Sequence, residues 1–263
     1  MQHSTITIDT RDGISVQTSG WAPADVPRAV VQLQHGLDEH AGRYRRFGQA
    51  LTAAGYLVYA PDARGSGRNA AGAYGRWGAN GWLVWIDDVH RLNRRIRADQ
   101  PGLPLALIGH SLGSFAAQQY LLDHSADVQA AVLLGTSEPA GIAAMLSAEG
   151  PVDLSRLNQG FEHSTCLEWL SRDAAEVDLY CADPACGFLP EPFSGIATLG
   201  RAADPAALSQ VRVDLPILLL SGEADPIAGP GGSGVQLVGQ RLPRGGRARC
   251  GGWAVRRRTA RVA

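Results

Sequence analysis

Lysine is absent from this sequence: all 24 basic side chains are arginine, and its seven histidines end at position 163. No apolar run approaches the ~18 residues of a bilayer crossing, which argues against an integral membrane protein. Residues 1–10 lack both a basic start and a continuous apolar stretch, so no secretory signal is expected and a cytoplasmic location follows. Cysteine is scarce, with Cys166, Cys181, Cys186 and Cys250 in no zinc-type spacing. Reduced thiols are therefore expected, a Cys181–Cys186 link being reserved for an oxidising compartment. Acid is missing from one stretch only. Residues 1–240 carry 16 arginines against 25 acids, whereas residues 241–263 carry eight arginines and no acid.

What is present suits a buried sheet. Of the 263 residues, 45% are apolar, ample for the core of one large domain or one domain with an insertion. Residues 4–18 read as two strands joined at Asp12-Gly13, a favoured hairpin pair. Short apolar runs then recur at Ala29–Leu33, Tyr56–Ala60, Leu105–Ile108, Ala131–Leu134 and Ile217–Leu220, the pattern of strands covered on both faces. Helical spacing alternates with them: Phe47, Leu51 and Ala54 before Gly55, then Trp85, Val89, Leu92 and Ile96, then Phe115–Leu122. Strand–helix alternation implies an α/β fold with a mostly parallel sheet. It lapses between Thr136 and Val211, too long a stretch for a structureless loop, so an inserted cap is expected, with a helix near Phe161–Leu170. Its aromatics Trp169, Phe188 and Phe193 either line a pocket or pack in the core. The expected organisation is a core over 1–137, a cap over 138–210, a core again over 211–242, and an arginine-rich tail over 243–263.

Gly109-His110-Ser111-Leu112-Gly113 stands between an apolar strand and a helix. Its glycines permit a sharp turn that lifts the serine hydroxyl above the sheet, which marks Ser111 as a nucleophile rather than a turn residue. Acyl transfer also needs two backbone N–H groups aimed at the developing oxyanion. Leu112, following the nucleophile, supplies one; the loop His35-Gly36-Leu37-Asp38-Glu39-His40 supplies the other, most simply from Leu37. His35 and His40 precede the serine, against the order nucleophile–acid–histidine, and read as structural hydrogen-bonders. Past Ile217–Leu220, Ser221-Gly222-Glu223-Ala224-Asp225-Pro226 offers the acid, Asp225 being favoured over Glu223 by its place in an Asp-Pro turn.

HGLDEHAGRY (35–44), YAPDARGSGRN (59–69), GHSLG (109–113) and SGEADP (221–226) together resemble the monoacylglycerol lipase/lysophospholipase branch of the α/β-hydrolases, often labelled serine aminopeptidase S33. The resemblance runs in order over residues 5–242. It implies the α/β-hydrolase fold, a cap over an acyl pocket, and hydrolysis of monoacyl esters such as monoglycerides or lysophospholipids. No metal or organic cofactor is implied. It supports Ser111 as nucleophile, Asp225 as acid, and Leu37 and Leu112 as oxyanion donors. The expected partner is a small acyl ester, with no nucleic acid and at most transient membrane-surface contact.

One member is missing. No histidine follows Asp225, and beyond residue 242 neither strand nor helix periodicity continues, so the last strand and helix of the fold are expected to be absent. An acid-free, Arg- and Gly-rich tail is what out-of-frame translation of GC-rich DNA gives, and that origin is expected here. A functional basic tail for anionic partners is the rival reading. An impaired pseudo-hydrolase, or amide hydrolysis on the same fold, is the alternative function. His163 could supply a base from another direction; His110 is expected to point away from the Ser111 hydroxyl.

Overall fold

The computed structural model describes residues 2–70, 72–147, 152, 154–161, 165, 167–242 and, as backbone, 249–250. His163, Cys166 and the rest of the tail lie outside the described residues. Strands β1 (Gln2–Asp9) and β2 (Ser15–Ala22) form the expected antiparallel hairpin, and β2 then pairs antiparallel with β4 (Tyr56–Pro61). From β4 onward the sheet is parallel, through β3 (Ala29–Gln34), β5 (Leu105–His110), β6 (Ala130–Leu134), β7 (Ile217–Leu220) and β8 (Arg249–Cys250), in the order β1-β2-β4-β3-β5-β6-β7-β8. The short apolar runs became these strands because alternate side chains feed two cores. Val30, Leu57, Leu105, Leu107, Leu133 and Leu219 enter one; Val31, Leu33, Val58, Ala60 and Ile108 enter the other.

The larger core is closed by α2 (Gly81–Asp99) and α3 (Leu112–His124), whose Trp85, Val89, Leu92, Ile96, Phe115 and Leu121 are buried. Helix α1 (Arg45–Ala53) covers the opposite face and ends against Gly55, which takes φ +85°. Trp77, Trp82 and Trp85 form a buried aromatic cluster, and Phe193 reaches in from the segment between β6 and β7 to within 4.5 Å of the Trp77 ring. That segment carries α4 (Pro139–Leu146), α5 (Ala174–Ala182) and α6 (Pro205–Leu208). After β7 comes α7 (Ser233–Arg241), whose Val238 enters the larger core.

Two expectations need correction. The helix foreseen near Phe161–Leu170 is reduced, in its described part, to a 3-10 turn at Glu168–Leu170. There the Glu168 carboxylate accepts hydrogen bonds from the Thr165 N–H at 2.6 Å, the Thr165 hydroxyl at 2.9 Å and Asn158 Nδ2 at 2.7 Å, so side chains satisfy groups that a helix would otherwise order. No strand was expected beyond residue 242, yet a two-residue β8 (Arg249–Cys250) runs parallel to β7, setting Arg249 opposite Leu218 and Cys250 opposite Leu219. Parallel pairing is made by backbone groups, so it does not need the apolar side chains whose absence argued against it.

Arg64, nearly buried, ties three parts of this frame. Its Nε and one terminal nitrogen donate to Asp88 of α2 at 2.6 and 3.0 Å, and its terminal nitrogens donate to Asp12 of the hairpin turn at 2.7 and 2.9 Å. Arg64→Leu strands the Asp88 carboxylate, 7% exposed, without its cation. The expected loss is about 3–5 kcal/mol in urea unfolding, against about 1 kcal/mol or less for Asp12→Asn at the more exposed end. Equal losses for the two variants would contradict this account of the network.

Candidate active site

Ser111 sits between β5 and α3 with φ +50° and ψ −122°, a conformation a β-carbon rarely tolerates. It is pinned there because the Ser111 N–H donates to the Leu134 carbonyl at 2.8 Å, while its own carbonyl accepts from the Ser114 N–H at 2.7 Å and hydroxyl at 2.6 Å. The flanking glycines permit the bend. A β-carbon on Gly113 would collide with the Gln34 and His35 carbonyls of the neighbouring strand end, and one on Gly109 with the Gly113 carbonyl. Only bare backbone lets α3 approach the sheet this closely.

Above the turn lies a cavity of about 600 Å³. Ser111, Leu37, Leu112 and Asp225, drawn from three separate stretches of sequence, all line it. Most of the remaining wall is apolar, with Phe115 from α3, Ile142 and Met145 from α4, Leu154, and Trp169. Of the three aromatics singled out in the sequence, Trp169 alone lines the cavity; Phe188 stacks on Tyr74 and Phe193 is buried against Trp77. The Asp225 carboxylate accepts from the Ser221 hydroxyl at 3.0 Å and from the Ile227 N–H at 2.9 Å, which fixes it at the start of a 3-10 turn. Glu223 also borders the cavity but is exposed, facing Arg172 at 3.8 Å.

The loop after β3 holds chemistry that the sequence did not reveal. Glu39 is buried, yet its carboxylate accepts from the Gly36 N–H at 2.6 Å, the Tyr44 hydroxyl at 2.6 Å and Arg43 at 3.0 Å. Burial alone would raise its pKa; His110, 3.2 Å away, and the Tyr44 hydrogen bond outweigh that and hold it at about 2. The Glu39 anion thereby anchors the turn that presents Leu37, and a β-carbon on Gly36 would stand 2.8 Å from Glu39 Oε1 and 3.2 Å from Ser111 Cβ. Asp38 beside it is buried in the left-handed region at φ +56°, with Oδ1 unpartnered. Its backbone carbonyl accepts from the Tyr180 hydroxyl and the Gly187 N–H at 2.8 and 3.0 Å. Two adjacent acids in a run otherwise made of buried residues are the one signal that could have flagged the pair.

His35, His40 and His110 are each held by neighbouring groups. His35, buried, accepts from the Ala63 N–H at 2.8 Å and donates through Nδ1 to the Gly36 carbonyl at 2.7 Å; burial lowers its pKa. His40 accepts from the Gly42 N–H and meets Asp183 at 2.9 Å. His110 turns its Nδ1 toward the Tyr44 oxygen at 2.6 Å. Cys181 and Cys186 are free thiols. Among the described residues no helix is long and apolar enough to cross a membrane.

The sequence model of the serine aminopeptidase S33 family matches residues 25–247. The chain belongs to that family. Monoacylglycerol lipase from Mycolicibacterium smegmatis is 34% identical over 229 residues, covering 82% of this chain and 78% of that one. Human monoglyceride lipase is 31% identical, covering 78% and 68%. Among solved structures, a highly thermostable carboxyl esterase from Bacillus coagulans in complex with glycerol superposes with TM-score 0.81 at 28% identity, covering 94% of this chain and 88% of that one. The chain is thus an α/β-hydrolase of the monoacylglycerol-lipase-like branch, and its closely packed turn at Ser111 lies at the end of the interior strand β5, beneath the cavity.

Proposed function

We propose that this hydrolase cleaves monoacyl esters of the monoacylglycerol or lysophospholipid type, with Ser111 as nucleophile. The observation that carries the reading is the strained Ser111 turn opening onto an apolar cavity of about 600 Å³, a size suited to an acyl chain. The serine oxygen attacks the ester carbonyl, and the oxyanion so formed accepts hydrogen bonds from the backbone N–H groups of Leu37 and Leu112. Leu112 opens α3, where first-turn donors lack helical partners. Collapse of the adduct breaks the ester C–O bond; the alcohol leaves with a proton, and water then releases the fatty acid from Ser111. Such a cycle needs an imidazole that would take the serine proton and hand it to the departing alcohol, and Asp225 stands where it would orient and stabilise that group. Residues 138–210, which supply Ile142, Met145 and Trp169 to the wall, serve as the cap, and the reaction calls for no metal or organic cofactor.

Because no histidine follows Asp225 in the sequence, the same features also support a second reading, an acyl-binding hydrolase with an impaired catalytic cycle. One experiment addresses the shared premise. Prolonged exposure to an alkyl fluorophosphonate is expected to place the adduct on Ser111 by peptide mass mapping, and single-turnover assays at high protein concentration are expected to release acid from monoacylglycerols but not from aminoacyl amides. Adducts on other serines, or amides turned over as fast as esters, would overturn the assignment.

A further inference from the structure

Two clusters of metal-ligating side chains occur among the described residues, and they differ in what they already have. In the first, His40 Nε2 already meets Asp183 Oδ2 at 2.9 Å and its Nδ1 accepts from the Gly42 N–H, so both ring nitrogens are engaged. In the second, they are not. His90 of α2 and His124, the last residue of α3, stack face to face, their rings 3.9 Å apart and 17° from parallel. Both turn Nδ1 toward Oδ2 of Asp127, at 3.9 and 3.7 Å, too far for a hydrogen bond. His90 Nδ1 is buried with no hydrogen-bond partner at all. None of the three borders the cavity above Ser111.

We infer that His90 Nδ1, His124 Nδ1 and Asp127 Oδ2 form a binding site for a divalent transition-metal ion of the zinc class. Two imidazoles and one carboxylate are a common donor set for such ions, with ligand distances of about 2.0–2.2 Å. The three atoms lie within 4.8 Å of one another, and ligand atoms around one such ion stand roughly 3.3–3.5 Å apart, so each imidazole–carboxylate pair closes by about half an ångström and the imidazole pair by at most about 1.5 Å. A metal lies in the plane of each ring, so binding splays the stack by side-chain rotation. Side-chain exposures of 24%, 30% and 24% leave the outer positions open to water. Arg97 holds the other oxygen of Asp127 and orients the carboxylate, leaving Oδ2 to the imidazoles. Tyr120 packs on both rings, 6.2 Å from His90 and 4.9 Å from His124, and closes the inner side. An ion here would bind the middle of α2 to the end of α3, on the helical layer away from the cavity.

The test uses the full chain freed of metal by a chelator. Zinc is expected to bind at one equivalent and to raise the melting temperature, because an ion held only by the native state stabilises it by mass action. Co²⁺ in the same site is expected to give the visible absorption of a low-coordinate complex. His124→Gln and His90→Gln are each expected to weaken binding at least tenfold, while His40→Gln leaves it unchanged. The metal-free melting temperatures of the variants report whether they fold. No saturable binding, or binding that survives both substitutions in folded protein, or binding that follows His40, would each overturn the inference.

Discussion

On the impaired-cycle reading, replacing Ser111 with alanine in the 263-residue chain is expected to lower ester turnover by less than about tenfold, because losing the serine or the histidine of a triad alone costs about as much as losing all three members. A serine without its imidazole is a poor nucleophile, and residues 226–263 hold no histidine to supply one. Turnover of the unaltered chain is therefore expected about 10⁶-fold below that of a family member with a complete triad, a deficit of about 8 kcal/mol in transition-state stabilisation. What remains is the contribution of substrate binding and of the proposed oxyanion donors Leu37 and Leu112, which Ser111→Ala leaves in place. Side-by-side kinetics with a p-nitrophenyl ester decide the matter. A loss of about 10⁴-fold or more on Ser111→Ala would mean that a base from elsewhere, such as His110 or His163, serves the serine.

The second large effect concerns Asp38. Burial and the adjoining Glu39 raise its pKa to about 8, whereas an aspartate in the unfolded chain titrates near 3.8. The native state therefore holds a proton that the unfolded state has released between these two values. The sign follows: this contribution to stability is complete below about pH 4, declines as the pH rises toward about 8, and is flat beyond. At about 1.4 kcal/mol per unit, the native chain loses on the order of several kcal/mol across that window. Asp38→Asn removes the titration and keeps a side chain that tolerates the left-handed backbone at this position. The variant is expected to be clearly more stable than the parent at pH 8 and nearly equal to it at pH 4.5, measured by urea unfolding. Parallel pH profiles for the two proteins would show that Asp38 ionises without cost.

These two cases mark what a sequence discloses. The sheet was legible because fully covered strands need short, continuous apolar runs, and Ile217–Leu220 has the observed bounds unaltered. The Ser111 turn was legible because two glycines flank a serine between a strand and a helix, and nothing else explains them as economically. Leu37 and Asp225 could be nominated from their places after strands, and the fold brings both to the cavity that Ser111 faces. The unequal protonation of Asp38 and Glu39 was not legible, since it depends on which of two neighbouring carboxylates receives the N–H of Gly36, the hydroxyl of Tyr44 and the guanidinium of Arg43. Nor was β8, whose pairing is made by main-chain groups that every residue carries. The segment near Phe161–Leu170 misled because Glu168 draws Thr165 and Asn158 into local hydrogen bonds that sequence periodicity does not weigh.

The contact between Phe193 and the indole cluster also provides a built-in optical signal. Trp77 lies 5.3 Å from Trp85, and Trp82 lies 5.5 Å from Trp85, close enough for their excited states to couple and to imprint a strong near-ultraviolet dichroism. Phe193 is the wedge that the segment between β6 and β7 inserts beside them. Lifting Phe193 away would admit solvent to Trp77 and shift its emission to the red, so detachment of this part of the segment from α2 can be followed in real time without attaching a dye.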